Sequence, residues 1–262
     1  MNFTREIILT RYNNGKIEET TDIVVCEYPL TIYVNGEEMV TLMCSPKSLD
    51  YLTLGFLLSE GIIKENSEID SIEIDEEKGA AYVNLLVDKE SSGCFKEKRM
   101  AAKGCSGGTV FNSASDSTKY ACLDSKLQIP YKNVLYLMNS FAEKSEVFQN
   151  TGGVHSAALS DGEKILIFHE DIGRHNALDK VIGETFSKEI DFLDKILFTS
   201  GRISSEMLMK AAKQRISIMV SRSAPMDLAI KIGKEINMTI IGFVRGQRMN
   251  IYNGKERINF DS

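Results

Sequence analysis

The sequence predicts an α/β protein, α+β overall, in which a mixed, partly parallel sheet flanked by helices follows a smaller N-terminal α+β part. Three observations carry this expectation. Strand-like and helix-like patterns alternate through the second half of the chain, which is the rhythm of βα units. A period-two pattern broken by one tight turn dominates residues 30–44. Between these two regions, from Ser91 to Ser125, the hydrophobic period stops.

In the first part, Leu30, Ile32 and Val34 alternate with polar or amphipathic residues, Asn35-Gly36 supplies a tight turn, and Val40, Leu42 and Cys44 continue the alternation. Ser45-Pro46 opens a helix whose apolar face is Leu49, Leu52, Phe56 and Leu57, closed by Gly61. Strand-like pieces follow at Ser71–Ile74 and Ala81–Val87. The Ser91–Ser125 stretch is rich in glycine, serine and lysine and holds Cys94, Cys105 and Cys122. A run this long without periodicity is uncommon inside a compact domain and is often functional.

The second part starts with a helix showing Val134, Leu137, Met138 and Phe141 on one face. A hairpin then pairs Val154–Leu159 with Lys164–Phe168 across Asp161-Gly162. After it come a helix at Asn176–Phe186, a strand at Ile196–Thr199, a helix at Ser204–Gln214, a strand at Ser217–Val220, a helix at Pro225–Ile236 and a strand at Thr239–Phe243.

Composition narrows the function classes. Hydrophobic residues make up 43% and charged residues 26%, as in a globular protein with a substantial core. A net charge of −6 argues against broad nucleic-acid binding. The start of the chain shows no basic stretch leading into an apolar run, and no segment reaches the roughly 20 apolar residues of a membrane helix. Five scattered cysteines suit a reducing cytoplasm better than a disulfide framework.

Open α/β sheets bind ligands beyond the carboxyl ends of their strands. Here those ends read His169-Glu170-Asp171-Ile172-Gly173-Arg174, Thr199-Ser200-Gly201-Arg202, Ser221-Arg222-Ser223-Ala224-Pro225 and Gly242-Phe243-Val244-Arg245-Gly246-Gln247-Arg248. Five of the ten arginines fall in these four segments, while the 21 lysines are spread widely. Arginine offers a planar fork to phosphate, glycine lets backbone N–H groups approach an anion, and serine adds hydroxyl donors. Any one of these arginines can be a loop residue pairing with one of the 37 carboxylates. All four strand ends together predict a site for a multiply charged, phosphorylated ligand.

Cys105 lies in Lys103-Gly104-Cys105-Ser106-Gly107-Gly108, beside a cation and among glycines, a setting that favours a reactive thiolate. Cys26 and Cys44 occupy apolar strand positions suited to buried, inert thiols. Histidines 155, 169 and 175 match no zinc spacing. His155-Ser156-Ala157 is similar to the His-x-Glu of zinc deaminases, but Ala157 replaces the glutamate and no cysteine follows Cys122, so no metal site is expected. His155 reads as a structural or ligand-orienting residue. The absence of a Gly-x-x-x-x-Gly-Lys-Ser/Thr loop disfavours a nucleotide hydrolase.

Taken together, several segments resemble the formate dehydrogenase accessory sulfurtransferase family, FdhD. They are Arg99-Met100 leading to Gly104-Cys105, Thr151 to His155, Glu170 to Lys180, Thr199 to Arg202, Ser223-Ala224-Pro225, and Gly242 to Arg248. The resemblance implies a cytidine-deaminase-like domain at 126–262, an N-terminal α+β part at 1–125 that includes the Cys105 loop, and a homodimer in the cytoplasm. It also implies a sulfurtransferase in which a cysteine desulfurase donates sulfur to Cys105 as a persulfide. That sulfur then passes to a molybdenum bis-(molybdopterin guanine dinucleotide) cofactor, a bound substrate, for formate dehydrogenase.

The family's cofactor-binding stretch matches Phe243, Val244, Arg245, Gly246, Gln247 and Arg248. With it we group Ser200, Arg202, Arg222 and Ser223 from the rim, with a guanine nucleotide as a mimic of the cofactor. Arg245 and Arg248 would hold phosphate, Gly246 would allow close backbone approach, and Lys103 would act as an electrostatic helper. Many members carry Cys-x-x-Cys in the loop, whereas this chain has Gly108 at the second position. That departure leaves a non-catalytic cofactor-binding chaperone as the alternative to a sulfur carrier.

Overall fold

The computed structural model describes residues 2–86 and 122–261. The chain opens with a long ribbon of two antiparallel strands, β1 (Thr4–Asn13) and β2 (Lys16–Val25). Asn14 and Gly15 join them with φ of 47° and 84°, the double positive-φ turn that matches the twist of a hairpin. Most of the ribbon is exposed on both faces, so it carries no clean apolar alternation.

The expected hairpin follows as β3 (Tyr28–Val34) and β4 (Glu37–Cys44), turned by Asn35-Gly36. Helix α1 (Leu49–Glu60) buries Leu49, Leu52, Phe56 and Leu57, and Gly61 closes it in the left-handed conformation, as its sequence predicts. Strands β5 (Ile69–Asp75) and β6 (Ala80–Leu85) complete a four-stranded sheet ordered β4-β3-β6-β5, in which β3 and β6 run parallel.

The larger sheet has six strands. After the short β7 (Ile129–Pro130) come α2 (Tyr131–Glu143) and a six-residue helix, α3 (Glu146–Thr151), which the sequence pattern did not announce. The hairpin β8 (His155–Ser160) and β9 (Ile165–Asp171) leads into α4 (Arg174–Ser187). Next are β10 (Ile196–Thr199), α5 (Ser205–Lys213), β11 (Ile218–Ser221), α6 (Asp227–Glu235) and β12 (Thr239–Arg245). An edge strand, β13 (Arg248–Asn253), extends the series beyond the expected end, and β14 (Ile258–Asn259) lies parallel to β7. The larger sheet is ordered β13-β12-β11-β10-β8-β9, in which β10, β11 and β12 are mutually parallel and β8, β9 and β13 supply the antiparallel flanks. The mixed sheet flanked by helices is therefore the observed fold class.

Every residue of β10 and β11 is buried because both faces of the sheet are covered. Phe198, Val220 and Ile241 pack with Val134, Leu137 and Phe141 of α2 on one face. Leu197, Met219 and Ile240 pack with α4, α5 and α6 on the other, in a core that continues through α1 into the four-stranded sheet. The contact between α1 and α4 is very close. A β-carbon on Gly183 would lie 1.9 Å from the carbonyl oxygen of Tyr51.

Two buried ion pairs reinforce this junction. Lys180 Nζ lies 2.6 Å from Asp171 Oδ2, which also accepts hydrogen bonds from the N–H and hydroxyl of Ser45 at 3.0 and 2.9 Å. Lys210 Nζ meets Asp179 Oδ2 at 2.5 Å, while the Ser59 hydroxyl donates to Asp179 Oδ1 at 2.7 Å. Asn176 donates to the Met43 carbonyl oxygen and to Asp171 Oδ1. Much of the Glu170–Lys180 segment thus fastens the first sheet to the second. Among the described residues, no helix is long and apolar enough to cross a membrane.

Candidate functional site

Because β10, β11 and β12 are parallel, their carboxyl ends converge on one edge, joined by the start of the antiparallel β8 at His155. Short hydrogen bonds stitch the three outgoing loops together. Ser221 donates to the Gly201 carbonyl oxygen at 2.6 Å and accepts from the Ser223 N–H at 2.9 Å. The Arg222 N–H reaches the Thr199 carbonyl oxygen, and the Phe243 N–H reaches that of Ser223. Gly242 permits this approach, since a β-carbon there would lie 2.8 Å from Pro225 Cδ.

Above these loops lies a cavity of about 310 Å³. Arg222, Ser223, Arg245 and Ser200 line it from the strand ends, with His155 and Ser156 from β8. Phe141, Ser145 and Phe148 close it from the α2–α3 side. Ser200 Oγ accepts from the Ser156 N–H at 2.9 Å and lies 3.2 Å from His155 Nδ1, while the Ser145 and Ser156 hydroxyls are 2.9 Å apart. Arg245 donates through Nε to the Arg222 carbonyl oxygen at 3.1 Å and its guanidinium lies 6.0 Å over the Phe243 ring, while its terminal nitrogens make no hydrogen bond or ion pair among the described residues. Burial, then the nearby charges of Arg174 and Arg202, push the His155 pKa down, so the imidazole is neutral near pH 7.

The rim residues expected from the sequence divide into two groups. Ser200, Arg222, Ser223 and Arg245 share the cavity, whereas Arg202, Phe243, Gln247 and Arg248 do not line it. Arg202, Gln247 and Arg248 are exposed, and Gly246 makes the β12–β13 turn with φ of 56°. Phe243 holds φ of 53° at a register shift in β12. Val244, grouped with the ligand-binding residues on sequence, turns its side chain inward. It is 1% exposed and packs with Val220 and Ile241, so only its backbone faces the rim. The left-handed turn at Phe243 is the cause, because an extra residue in a strand resets which face the next side chain takes.

Cys105, Lys103, Gly104, Gly108, Cys94, Arg99 and Met100 lie outside the described residues. Cys44 is buried, donates to the Tyr28 carbonyl oxygen at 3.3 Å, and has its pKa pushed up to about 12, chiefly by burial. Cys26 is half-buried in the link between β2 and β3 rather than at a strand position, and Cys122 is exposed. Sequence reasoning missed Ser145 and Phe148, which the short α3 brings to the cavity. The available signal was the Val147-Phe148 pair set between the polar residues Ser145-Glu146 and Gln149-Asn150. Among the described residues, no group of three or more His, Cys, Asp or Glu side chains could hold a metal.

The site can therefore take a ligand with phosphate groups for its guanidiniums and a planar ring for its aromatic wall. Comparison with known proteins places the chain in a family. The crystal structure of a candidate formate dehydrogenase accessory protein from Desulfotalea psychrophila superposes with a TM-score of 0.80 at 25% identity, covering 98% of this chain and 100% of that one. A sulfur carrier protein FdhD from Bacillus pumilus (strain SAFR-032) is 46% identical over 251 residues, 96% of each chain. Its counterpart in Staphylococcus aureus (strain MRSA252) is 43% identical over 250 residues, 95% of this chain and 94% of that one. The FdhD/NarQ family model matches residues 25–259, a span that takes in the cavity, the strand-end loops and the buried ion pairs alike, and the chain belongs to that family.

Proposed function

We propose that this protein is a sulfur carrier for formate dehydrogenase maturation. On this reading it accepts sulfur on Cys105 from a cysteine desulfurase and passes it to a molybdenum bis-(molybdopterin guanine dinucleotide) substrate seated on the rim. The observation that carries the reading is the cavity at the carboxyl ends of three parallel strands, where Arg222 and Arg245 converge with the hydroxyls of Ser200 and Ser223. Two guanidiniums beside hydroxyl donors suit a diphosphate bridge, and the Phe148 ring, 44% exposed, offers a face to a guanine or pterin. Relatives named as sulfur carriers support the sulfur role.

In the accepting step, the Cys105 thiolate attacks the terminal sulfur of the donor's persulfide. The donor S–S bond breaks, the donor cysteine leaves as a thiolate, and Cys105 becomes the persulfide. No outside oxidant is consumed. The neutral His155, hydrogen-bonded to Ser200, orients the ligand from the cavity wall. A cytoplasmic homodimer working with the desulfurase and with formate dehydrogenase completes the proposal.

The test is mass spectrometry of the intact protein after incubation with a cysteine desulfurase and cysteine. A gain of one sulfur atom on Cys105, absent from Cys105→Ala, is expected. An unmodified Cys105, together with full maturation by Cys105→Ala, would overturn the reading.

Gly108, which stands where many family members have a second loop cysteine, favours one other reading, a chaperone that delivers the same substrate without sulfur chemistry. It requires Arg245→Ala to abolish maturation while Cys105→Ala leaves it intact. Equal loss in both variants excludes it.

A further inference from the structure

The ribbon of β1 and β2 has two unlike faces. Its register sets Glu6 opposite Ile23, Ile8 opposite Thr21, Thr10 opposite Glu19 and Tyr12 opposite Ile17, and opposed residues of an antiparallel pair share a face. On that face Ile8, Tyr12 and Ile17 are 72, 72 and 75% exposed, and Ile23 is 45% exposed. The alternate pairs, among them Arg5 with Val24 and Ile7 with Asp22, make the other face. At the ribbon's root this second face turns to the body, where Arg5, Ile7 and Val24 line a cavity with Thr151, Gly153 and Ile172.

A two-stranded ribbon is at best marginally stable alone, and large apolar side chains grouped on one exposed face mark a surface that another molecule covers. The charges say which molecule. On the second face, Arg11 Nη2 lies 3.6 Å from Asp22 Oδ2, and Glu18 stands opposite Arg11. On the first face, Glu6 and Glu19 are exposed, no lysine or arginine stands with them, and neither makes an ion pair among the described residues. A second copy of the chain is a poor cover. Stacked antiparallel about Ile8 and Thr21, two such faces would set the Glu19 rung against the Glu6 rung; stacked parallel, each glutamate rung would meet itself.

We propose that this face docks an amphipathic helix of a partner protein, one that carries lysine or arginine beside its apolar stripe. The rungs from Glu6–Ile23 to Tyr12–Ile17 span about 20 Å, the length of roughly 13 residues of helix. The helix lays its apolar stripe across Ile23, Ile8, Tyr12 and Ile17 and sets its cations against Glu6 and Glu19. A net charge of −6 favours the approach of such a segment. At the ribbon's root a β-carbon on Gly153 would lie 3.1 Å from Val25 Cγ2, and Gly153 is two residues from His155 of the rim cavity. A protein gripped by the ribbon is thereby held beside the rim. The inference goes beyond the sulfur reading and stands without it, since neither Cys105 nor the rim arginines take part.

The experiment is fluorescence anisotropy of the full chain with two labelled synthetic peptides about 18 residues long, one of leucine and lysine, the other of leucine and glutamate in the same amphipathic helical pattern. The lysine peptide should bind and the glutamate peptide should not. Ile8→Ser and Ile17→Ser should each weaken the lysine peptide at least about tenfold. Glu6→Gln combined with Glu19→Gln should weaken it about threefold or more and flatten its salt dependence. Equal binding of both peptides, or a lysine-peptide affinity untouched by the serine variants, would overturn the inference. A dimer that Ile17→Ser splits, seen by sedimentation velocity, would give the face to a second copy and overturn it as well. Ile8 and Ile17 lie outside the core, and the glutamine pair decides the matter should the serine variants loosen the ribbon. Cys105→Ala binds the lysine peptide as wild type does, so a failure of persulfide formation leaves this result standing by itself.

Discussion

A β-carbon on Gly55 would lie 1.7 Å from the carbonyl oxygen of Asp179, so α1 and α4 meet backbone to backbone at that point. Gly183 makes the reciprocal approach to Tyr51. The crossing depends on the absence of two side chains.

Gly55→Ala is therefore expected to force the helices apart and destabilise the protein by about 3 kcal/mol or more, at the upper end of overpacking costs. Urea unfolding followed by circular dichroism measures this. A midpoint unchanged from wild type would show that the junction yields freely.

Lys180→Met should cost roughly 3–5 kcal/mol, because it leaves the Asp171 carboxylate buried with no cation. Asp171 and Lys180 are both fully buried. Adding Asp171→Asn to that variant should restore part of the loss, and the double-mutant cycle gives the coupling directly.

Stability should fall as pH drops below 6.5. Burial first, then Lys210, Arg174 and His155, lower the His175 pKa from its ordinary 6.5 to about 3. His155 and His169 are lowered as well, each chiefly by burial. Through this window the unfolded chain takes up protons that the folded chain refuses, so acid favours unfolding. Each histidine contributes at most about 1.4 kcal/mol per pH unit. Unfolding free energies at pH 7, 6 and 5 should show the decline, and His175→Asn should flatten it.

Alkylation should separate the described thiols sharply. Cys122 is exposed and should react in the native state, whereas Cys44 should react only on unfolding, because burial holds its thiol protonated. Peptide mapping after a short maleimide pulse reads both. Rapid native labelling of Cys44 would mean that the first sheet opens locally.

Much of this architecture is legible in the sequence because burial imposes a period. The runs Ile196–Thr199 and Ile218–Ser221 are apolar up to their last residue since helices cover both faces, and the helices between them repeat with a turn's spacing. Where burial is absent, the period fades. The β1–β2 ribbon is exposed on both faces and escapes the sequence reading; Asn14-Gly15 is the one turn mark it carries. Helix α3 buries none of its own residues, and β13 is an edge strand of alternating half-exposed positions. At the site, the arginines stand out because they interrupt glycine and serine at strand ends. The sequence has no mark for the close approach of Arg174 to Gly201, where a β-carbon would lie 3.0 Å from Arg174 Cβ, because it depends on how two distant segments pack. Nor does it show that Asp171, Asp179 and Lys180, embedded in the same motif, serve as internal fasteners.

The reversed turn at Phe243 has a consequence for anyone redesigning this rim. Ile241 and Val244 pack on the same side of the sheet although they are three positions apart, which a plain strand forbids. The kink works as a half-twist in the thread just before the last arginine loop. Straightening that turn with every residue kept would give a smoother strand, yet it would rotate Val244 towards the opposite layer and point the loop's guanidinium somewhere new. Binding geometry at this end is thus written in backbone parity, and a chemically perfect arginine placed out of phase would grip nothing.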